Sequence, residues 1–166
     1  TMIGVVVPAH NEAHTVGVVV TGIRRALPGA HVVVVNDRSS DATVEEAQRA
    51  GADVVHTRSG RGGYAQALQR GYQAALAGGA EVIAQLDADG QHDPLDLGTL
   101  LAGLERYDLV VGSRFLGPGY PMTLPRRSAI TMCRWMSHRI GRIPLTDPTS
   151  GFRAARAAVA RDIATH

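Results

Sequence analysis

The chain has one cysteine, no lysine, and no apolar run close to the roughly 18 residues that a membrane-crossing helix requires. The single Cys133 excludes an internal disulfide and points to a reducing compartment. No repeat and no low-complexity tract interrupts the chain, and no signal-peptide pattern opens it. Thr1 ahead of Met2 reads as an added residue. The expectation is a cytoplasmic piece. Its 166 residues, 45% of them hydrophobic, suffice for one domain around one core.

The missing lysine leaves Arg to supply all 17 basic residues, and these are unevenly spread. Residues 1–110 carry 8 Arg against 13 acids, a balance of −5; residues 111–166 carry 9 against 2, a balance of +7. The basic part suits an anionic partner, and nucleic acid, phospholipid headgroups and a phosphate-bearing substrate all fit that sign.

Five apolar, β-branched runs read as buried strands, at residues 3–7, 31–35, 53–56, 82–86 and 109–111. Helices are expected over about 13–27, from a Ser40/Asp41 cap to Ala50, over 64–77, and from Asp93-Pro94 onward, burying Leu97, Leu100, Leu101 and Leu104. Strands alternating with helices give an α/β fold, a mostly parallel sheet flanked by helices. Residues 117–125, rich in Gly and Pro, read as a mobile loop. They divide a ligand-binding core, residues 1–116, from an Arg-rich segment of the same domain, residues 117–166.

In open parallel sheets ligands sit beyond the carboxyl ends of the strands. Polar residues gather there: Pro8 to Glu12 after the first strand, Asn36 to Asp41 after the second, and Gly112-Ser113-Arg114 after the fifth. The fourth strand drives into Asp87, Asp89 and Asp93, with Gln91 between the last two. Like charges this close repel unless a cation answers them, and hard oxygen ligands at this density suit Mg²⁺ or Mn²⁺. Such ions keep positions open for phosphates, so a diphosphate-carrying ligand is the first hypothesis. A solvated acidic turn capping the next helix explains Asp93 but leaves Asp87 and Asp89.

Gly60-Arg61-Gly62-Gly63-Tyr64-Ala65 matches G-x-G-x-x-A and offers a competing dinucleotide-binding reading. It follows the third strand, whereas that fingerprint belongs to the first βα turn. Phosphate contact through Arg61 or the backbone and a plain glycine turn account for it equally well.

Taken in order, six blocks resemble the family 2 inverting glycosyltransferases, in the branch similar to dolichol- or polyprenyl-phosphate mannosyltransferases. They are Val7-Pro8-Ala9-His10-Asn11-Glu12-Ala13; Val35-Asn36-Asp37-Arg38-Ser39-Ser40-Asp41; the Gly60 to Ala65 segment with its helix; Asp87-Ala88-Asp89-Gly90-Gln91-His92; Gly112-Ser113-Arg114; and Thr149-Ser150-Gly151-Phe152-Arg153. The resemblance implies a glycosyltransferase A-type fold with a D-x-D metal site for Mg²⁺ or Mn²⁺. It implies transfer of a mannose- or glucose-type sugar from a GDP- or UDP-sugar, such as GDP-mannose, to polyprenyl phosphate. Nucleic acid is not an expected partner.

Carried over residue by residue, Pro8, His10 and Glu12 would line the nucleobase and ribose pocket, with Val35 and Asp37 completing it. Asp87 and Ala88 would face the nucleotide, Asp89 and Gln91 would be the direct metal ligands, and Asp87 belongs to the same metal segment. Asp89 and Arg114 would be catalytic. Arg114 with Arg126 or Arg127 would hold the acceptor phosphate, and Arg153 the donor diphosphate. A phosphate acceptor is an anion at pH 7 and needs no general base; a hydroxyl acceptor would. Asp147, the one nearby carboxylate, precedes Pro148 and reads as a turn residue. Two rivals stand beside this: a same-fold transferase to a sugar or small-molecule hydroxyl, and a non-catalytic nucleotide-sugar-binding module.

Residues 125–142 read as an amphipathic helix, with Arg127, Thr131, Arg134 and His138 on one face. Ile130, Cys133, Met136 and Ile140 fall on the other, with Trp135 at the border. Such a helix suits either packing on the sheet or lying on a membrane surface; the second, which reaching a polyprenyl acceptor favours, would put the chain at the cytoplasmic face of a membrane. Two departures from the family pattern stand out. Arg38 occupies a turn position where the family carries Gly, and the chain ends soon after Arg153 where relatives continue, so truncation at the C-terminus is expected.

Overall fold

The computed structural model describes residues 1–57, 63–113, 124–139 and 146–165, without the side chains of 124–127 and 129. Six strands form one sheet: β1 (Ile3–Ala9), β2 (His31–Asn36), β3 (Asp53–His56), β4 (Val82–Gln85), β5 (Leu109–Val111) and β6 (Arg153–Arg156), in the order β3-β2-β1-β4-β6-β5. β1 pairs in parallel with β2 and β4, and β2 with β3. β6 runs antiparallel between β4 and β5. The sheet is therefore mixed, with one reversed strand. Because β6 lies in mid-sheet, residues 153–156 of the expected Arg-rich segment belong to the core sheet.

Helices α1 (Val16–Ala26), α2 (Thr43–Arg49) and α4 (Leu97–Gly103) pack on one face, and α3 (Tyr64–Ala77) and α6 (Ala157–Thr165) on the other. Strand periodicity sorts the core between them. Val5, Val7, Val32 and Val34 face the first group; Val6, Val33, Val35 and Ile83 face the second. Gly71 brings α3 onto the sheet: a Cβ there would stand 2.8 Å from Val35 Cγ2 and closer still to Val6.

The strand and helix assignments hold within a few residues, with four differences. α1 starts at Val16 because residues 13–15 form a turn closed by the Glu12 carbonyl, which accepts from the Thr15 and Val16 amides. The segment after Asp93 opens with a 3₁₀ turn, Pro94–Asp96, capped by the Asp93 carboxylate on the Leu95 amide at 2.9 Å. Leu101 is only partly buried. β6 and α6 were not read from the sequence at all.

Helix α5 (Leu124–Arg139) buries Ile130 and half-buries Cys133 and Ser137. Met136, expected beside them, is exposed because it lies roughly 120° round the helix from Ile130. Met132 and Trp135 are about as open, at 62% and 60%. No helix among the described residues is long and apolar enough to cross a membrane.

Candidate functional site

The carboxyl ends of β1, β2 and β4 meet the start of α3 around a cleft of about 250 Å³. Pro8, His10 and Glu12 come from the first end, Asp37 from the second, Asp87, Ala88 and Asp89 from the third, and Tyr64 and Ala67 from α3. The structure thus gathers most of the expected nucleotide- and metal-binding residues into one cavity.

Two βα loops are laced together at its rim. Asn11 Oδ1 accepts from the Ser40 amide at 2.8 Å, and the amides of Asn11, Glu12 and Ala13 donate to Ser39, Thr43 and Asp41 side chains respectively. Asp41 also accepts from the Thr43 amide and hydroxyl, so it ties loop to loop at the start of α2, whose N-cap is Ala42 rather than the expected Ser40 or Asp41. The Thr43 hydroxyl is the main reason its carboxyl sits below the usual value. Arg38, at φ 58°, takes the left-handed conformation that its glycine-like turn position requires. His10 Nδ1 stands 2.6 Å from the Asp37 carbonyl, which fixes the ring at the cleft edge.

Asp37 is buried, and both its oxygens are engaged. Oδ1 accepts from the Thr57 hydroxyl at 2.9 Å and Oδ2 from the Gly63 amide at 2.8 Å. Burial pushes its carboxyl up, but those bonds and the Arg38 guanidinium outweigh it and hold the group below 3.8. The ionised form therefore stabilises the fold at every pH above the unfolded-chain value, and this contribution is lost as pH falls through the lower folded value. Asp37→Asn would set an amide donor against Thr57 or the Gly63 N–H. We expect a loss of about 1–3 kcal/mol at pH 7 in urea unfolding. The gap between variant and parent should narrow below about pH 4.

Asp87 Oδ1 accepts from the Tyr64 hydroxyl at 3.0 Å. Asp89 Oδ1 accepts from the Gln91 amide at 3.0 Å. Each keeps a second oxygen without a hydrogen bond from the described residues. Burial pushes the Asp87 carboxyl up and Asp89 adds to this, while the Tyr64 bond, His92 and Arg153 pull down; the balance lies above the ordinary value. A buried carboxylate raised partly by a second one is a group that a cation would relieve. Two hard oxygen donors on one wall fit Mg²⁺ or Mn²⁺, with room for phosphate oxygens. Among the described residues no three His, Cys, Asp or Glu side chains form a metal cluster, so further ligands would come from water or substrate.

Other expected site residues fall elsewhere. Val35 is fully buried in β2 and its side chain packs in the core rather than on the cleft. Gln91 borders a separate cleft between α1 and residues 90–95. Arg153 pairs across the sheet with Gln85, donates to the Ser150 carbonyl at 2.6 Å, and leaves its buried Nε without a partner. That orphaned donor beside Asp87 suits an anionic ligand. Asp147 is 1% exposed and accepts from the Thr149 hydroxyl, a turn arrangement. Arg114, Arg61 and the Arg126 and Arg127 side chains lie outside the described residues. His92 stacks on Phe152, centroids 4.9 Å apart.

Sequence reasoning missed Tyr64, Tyr72, Gln85 and Gly151. One signal was present: Gln85 is a polar residue inside an apolar strand, and it is fully buried.

Residues 4–164 match the family model described as glycosyl transferase family 2. The chain belongs to that family of glycosyltransferases. An undecaprenyl-phosphate mannosyltransferase of Micrococcus luteus is 34% identical over 169 residues, covering 95% of this chain and 68% of the relative. A polyprenol monophosphomannose synthase of Mycolicibacterium smegmatis is 32% identical, covering 96% and 63%. Among solved structures, glucosyl-3-phosphoglycerate synthase of Mycobacterium tuberculosis superposes with TM-score 0.74 at 25% identity, over 95% of this chain and 58% of that one. The same enzyme crystallised with Mn²⁺, UDP-glucose and phosphoglyceric acid gives TM-score 0.76 at 24% identity. The glycosyltransferase A-type α/β fold follows, with the mixed sheet described above. The chain spans about two thirds of the curated relatives' length and less of the solved enzyme's.

Proposed function

We propose that this chain is the donor- and metal-binding part of an inverting, metal-dependent glycosyltransferase. It moves a mannose- or glucose-type sugar from a GDP- or UDP-sugar to polyprenyl phosphate. The carrying observation is that Asp87 and Asp89, each with one carboxylate oxygen free of hydrogen bonds from the described residues, line the cleft that also presents Pro8, His10, Glu12 and Asp37. The relatives named for polyprenyl-phosphate mannosyl transfer support the acceptor class.

When bound, Mg²⁺ or Mn²⁺ supplies neutralisation of the charge that builds on the departing diphosphate. Asp87 and Asp89 would hold it. Pro8, His10 and Glu12 seat the nucleoside, with Val35 behind them in the core. The Asp37 side chain braces the glycine turn before α3 and keeps that seat in shape. Arg153, through its unpartnered Nε, offers the diphosphate a fixed positive charge that needs no reorganisation during the reaction. Arg114 and Arg126 or Arg127 position the acceptor phosphate in line. The burial of Asp147 and its place in a turn favour a phosphate over a hydroxyl, which would need that carboxylate as base. The exposed Met132, Trp135 and Met136, beside Arg134 and Arg139, suit peripheral contact with the membrane that holds the acceptor.

Arg114→Ala should leave nucleotide-sugar affinity within about twofold and lower transfer to polyprenyl phosphate on the order of 100-fold, as expected for loss of a positioning charge. Donor-binding calorimetry beside a transfer assay separates the two. A variant weakened only in donor binding would refute the acceptor role.

A further inference from the structure

Behind Asp87 runs a chain of hydrogen bonds into the core. Tyr64 and Tyr72, eight residues apart on α3, share one face of the helix. The Tyr72 hydroxyl lies 3.3 Å from Gln85 Oε1, Gln85 Nε2 lies 2.9 Å from the Tyr64 hydroxyl, and that hydroxyl lies 3.0 Å from Asp87 Oδ1. Tyr72 and Gln85 are both fully buried, so bulk water cannot satisfy them. An ionised Asp87 can only accept, and the Tyr64 proton must therefore point at it. The Tyr64 oxygen must then accept from the Gln85 amide nitrogen, and the Gln85 carbonyl from Tyr72. Each donor direction follows from the one before. On its other side Asp87 meets Gly151, where a Cβ would stand closest to Asp87 Oδ2 and 2.7 Å from Cγ. The carboxylate is held from both sides.

We propose that Tyr64, oriented by Gln85 and Tyr72, is a positioning residue that fixes the orientation of the Asp87 carboxylate on the cleft wall. This deepens the functional reading above and rests on it for its purpose, though not for its geometry. Burial pushes the Tyr72 hydroxyl up to about 12, so it remains a protonated donor throughout the working range.

Calorimetry with GDP and with UDP, each in Mn²⁺ and in EDTA, tests the relay on the full chain. Tyr64→Phe and Gln85→Met should each lower the Mn²⁺-dependent gain in affinity by about tenfold, the scale of one hydrogen bond to a charged group. Affinity in EDTA should stay within about twofold. Because Gln85 acts through Tyr64, the double variant should lose no more than Tyr64→Phe alone. Additive losses, or equal losses in EDTA, would overturn the proposal. Should Gln85→Met fail to fold, Tyr72→Phe takes its place in the cycle. If the parent protein shows no Mn²⁺ gain, the functional reading falls and a crystal structure of Tyr64→Phe decides the relay. A rotated Asp87 carboxylate supports it, and an unmoved one refutes it.

Discussion

Asp89→Ala should abolish the Mn²⁺-dependent part of nucleoside diphosphate affinity, a loss on the order of 100-fold or more. Asp89 is one of four carboxylates lining the cleft, but Asp37 is engaged by Thr57 and Gly63 and Glu12 accepts from Thr15, so neither replaces its charge beside Asp87. Fold stability should change little, because Asp89 accepts only the Gln91 amide of its own turn. Calorimetry in Mn²⁺ and in EDTA, with urea unfolding alongside, separates these effects. A variant that keeps its Mn²⁺-dependent affinity would remove Asp89 from the metal site.

The second large effect is expected at Gly151, which contributes no side chain. An added methyl would press on the Asp87 carboxyl group, so either Asp87 rotates or the loop carrying Gly151 backs away. Crowding of this kind costs about 1–3 kcal/mol. If Asp87 yields, its bond to Tyr64 breaks and the carboxylate loses its orientation on the cleft wall. Gly151→Ala should then lose about tenfold or more in Mn²⁺-dependent affinity, beyond any loss of stability. Glycine is required here by space rather than by backbone conformation. A Gly151→Ala protein with parental metal-dependent affinity would show that the clamp is not rigid.

Much of the fold was legible because its signals are local. The third helix is bounded by glycines at both ends, and its limits in the structure are those read from the sequence. The four parallel strands announced themselves as β-branched runs. β6 did not, because Arg153-Ala154-Ala155-Arg156 carries no β-branched residue and becomes a strand by insertion between β4 and β5. α6 follows it as a short, Ala-rich segment whose partner α3 lies some ninety residues earlier, as the bond from Gln73 Nε2 to the Ala164 carbonyl records.

The site divides in the same way. Residues at strand ends, Pro8, His10, Glu12, Asp37, Asp87 and Asp89, converge because the topology of a parallel sheet brings those ends together. Residues that act across the sheet were hidden. Gln85 sits in a run that reads as apolar, and only Tyr64 and Tyr72 on another element explain its amide. Arg38 shows a third pattern: a charged residue at a glycine position adopts the positive φ that the turn demands, so the substitution alters the surface and leaves the turn in place.

The most direct test is a crystal grown with MnCl₂ and GDP or UDP, measured at the manganese absorption edge. An anomalous peak within bonding distance of Asp89 and the diphosphate oxygens, with Asp87 turned toward it, is the expected result. A nucleotide bound in the cleft with no manganese signal near either aspartate would contradict the account at its root.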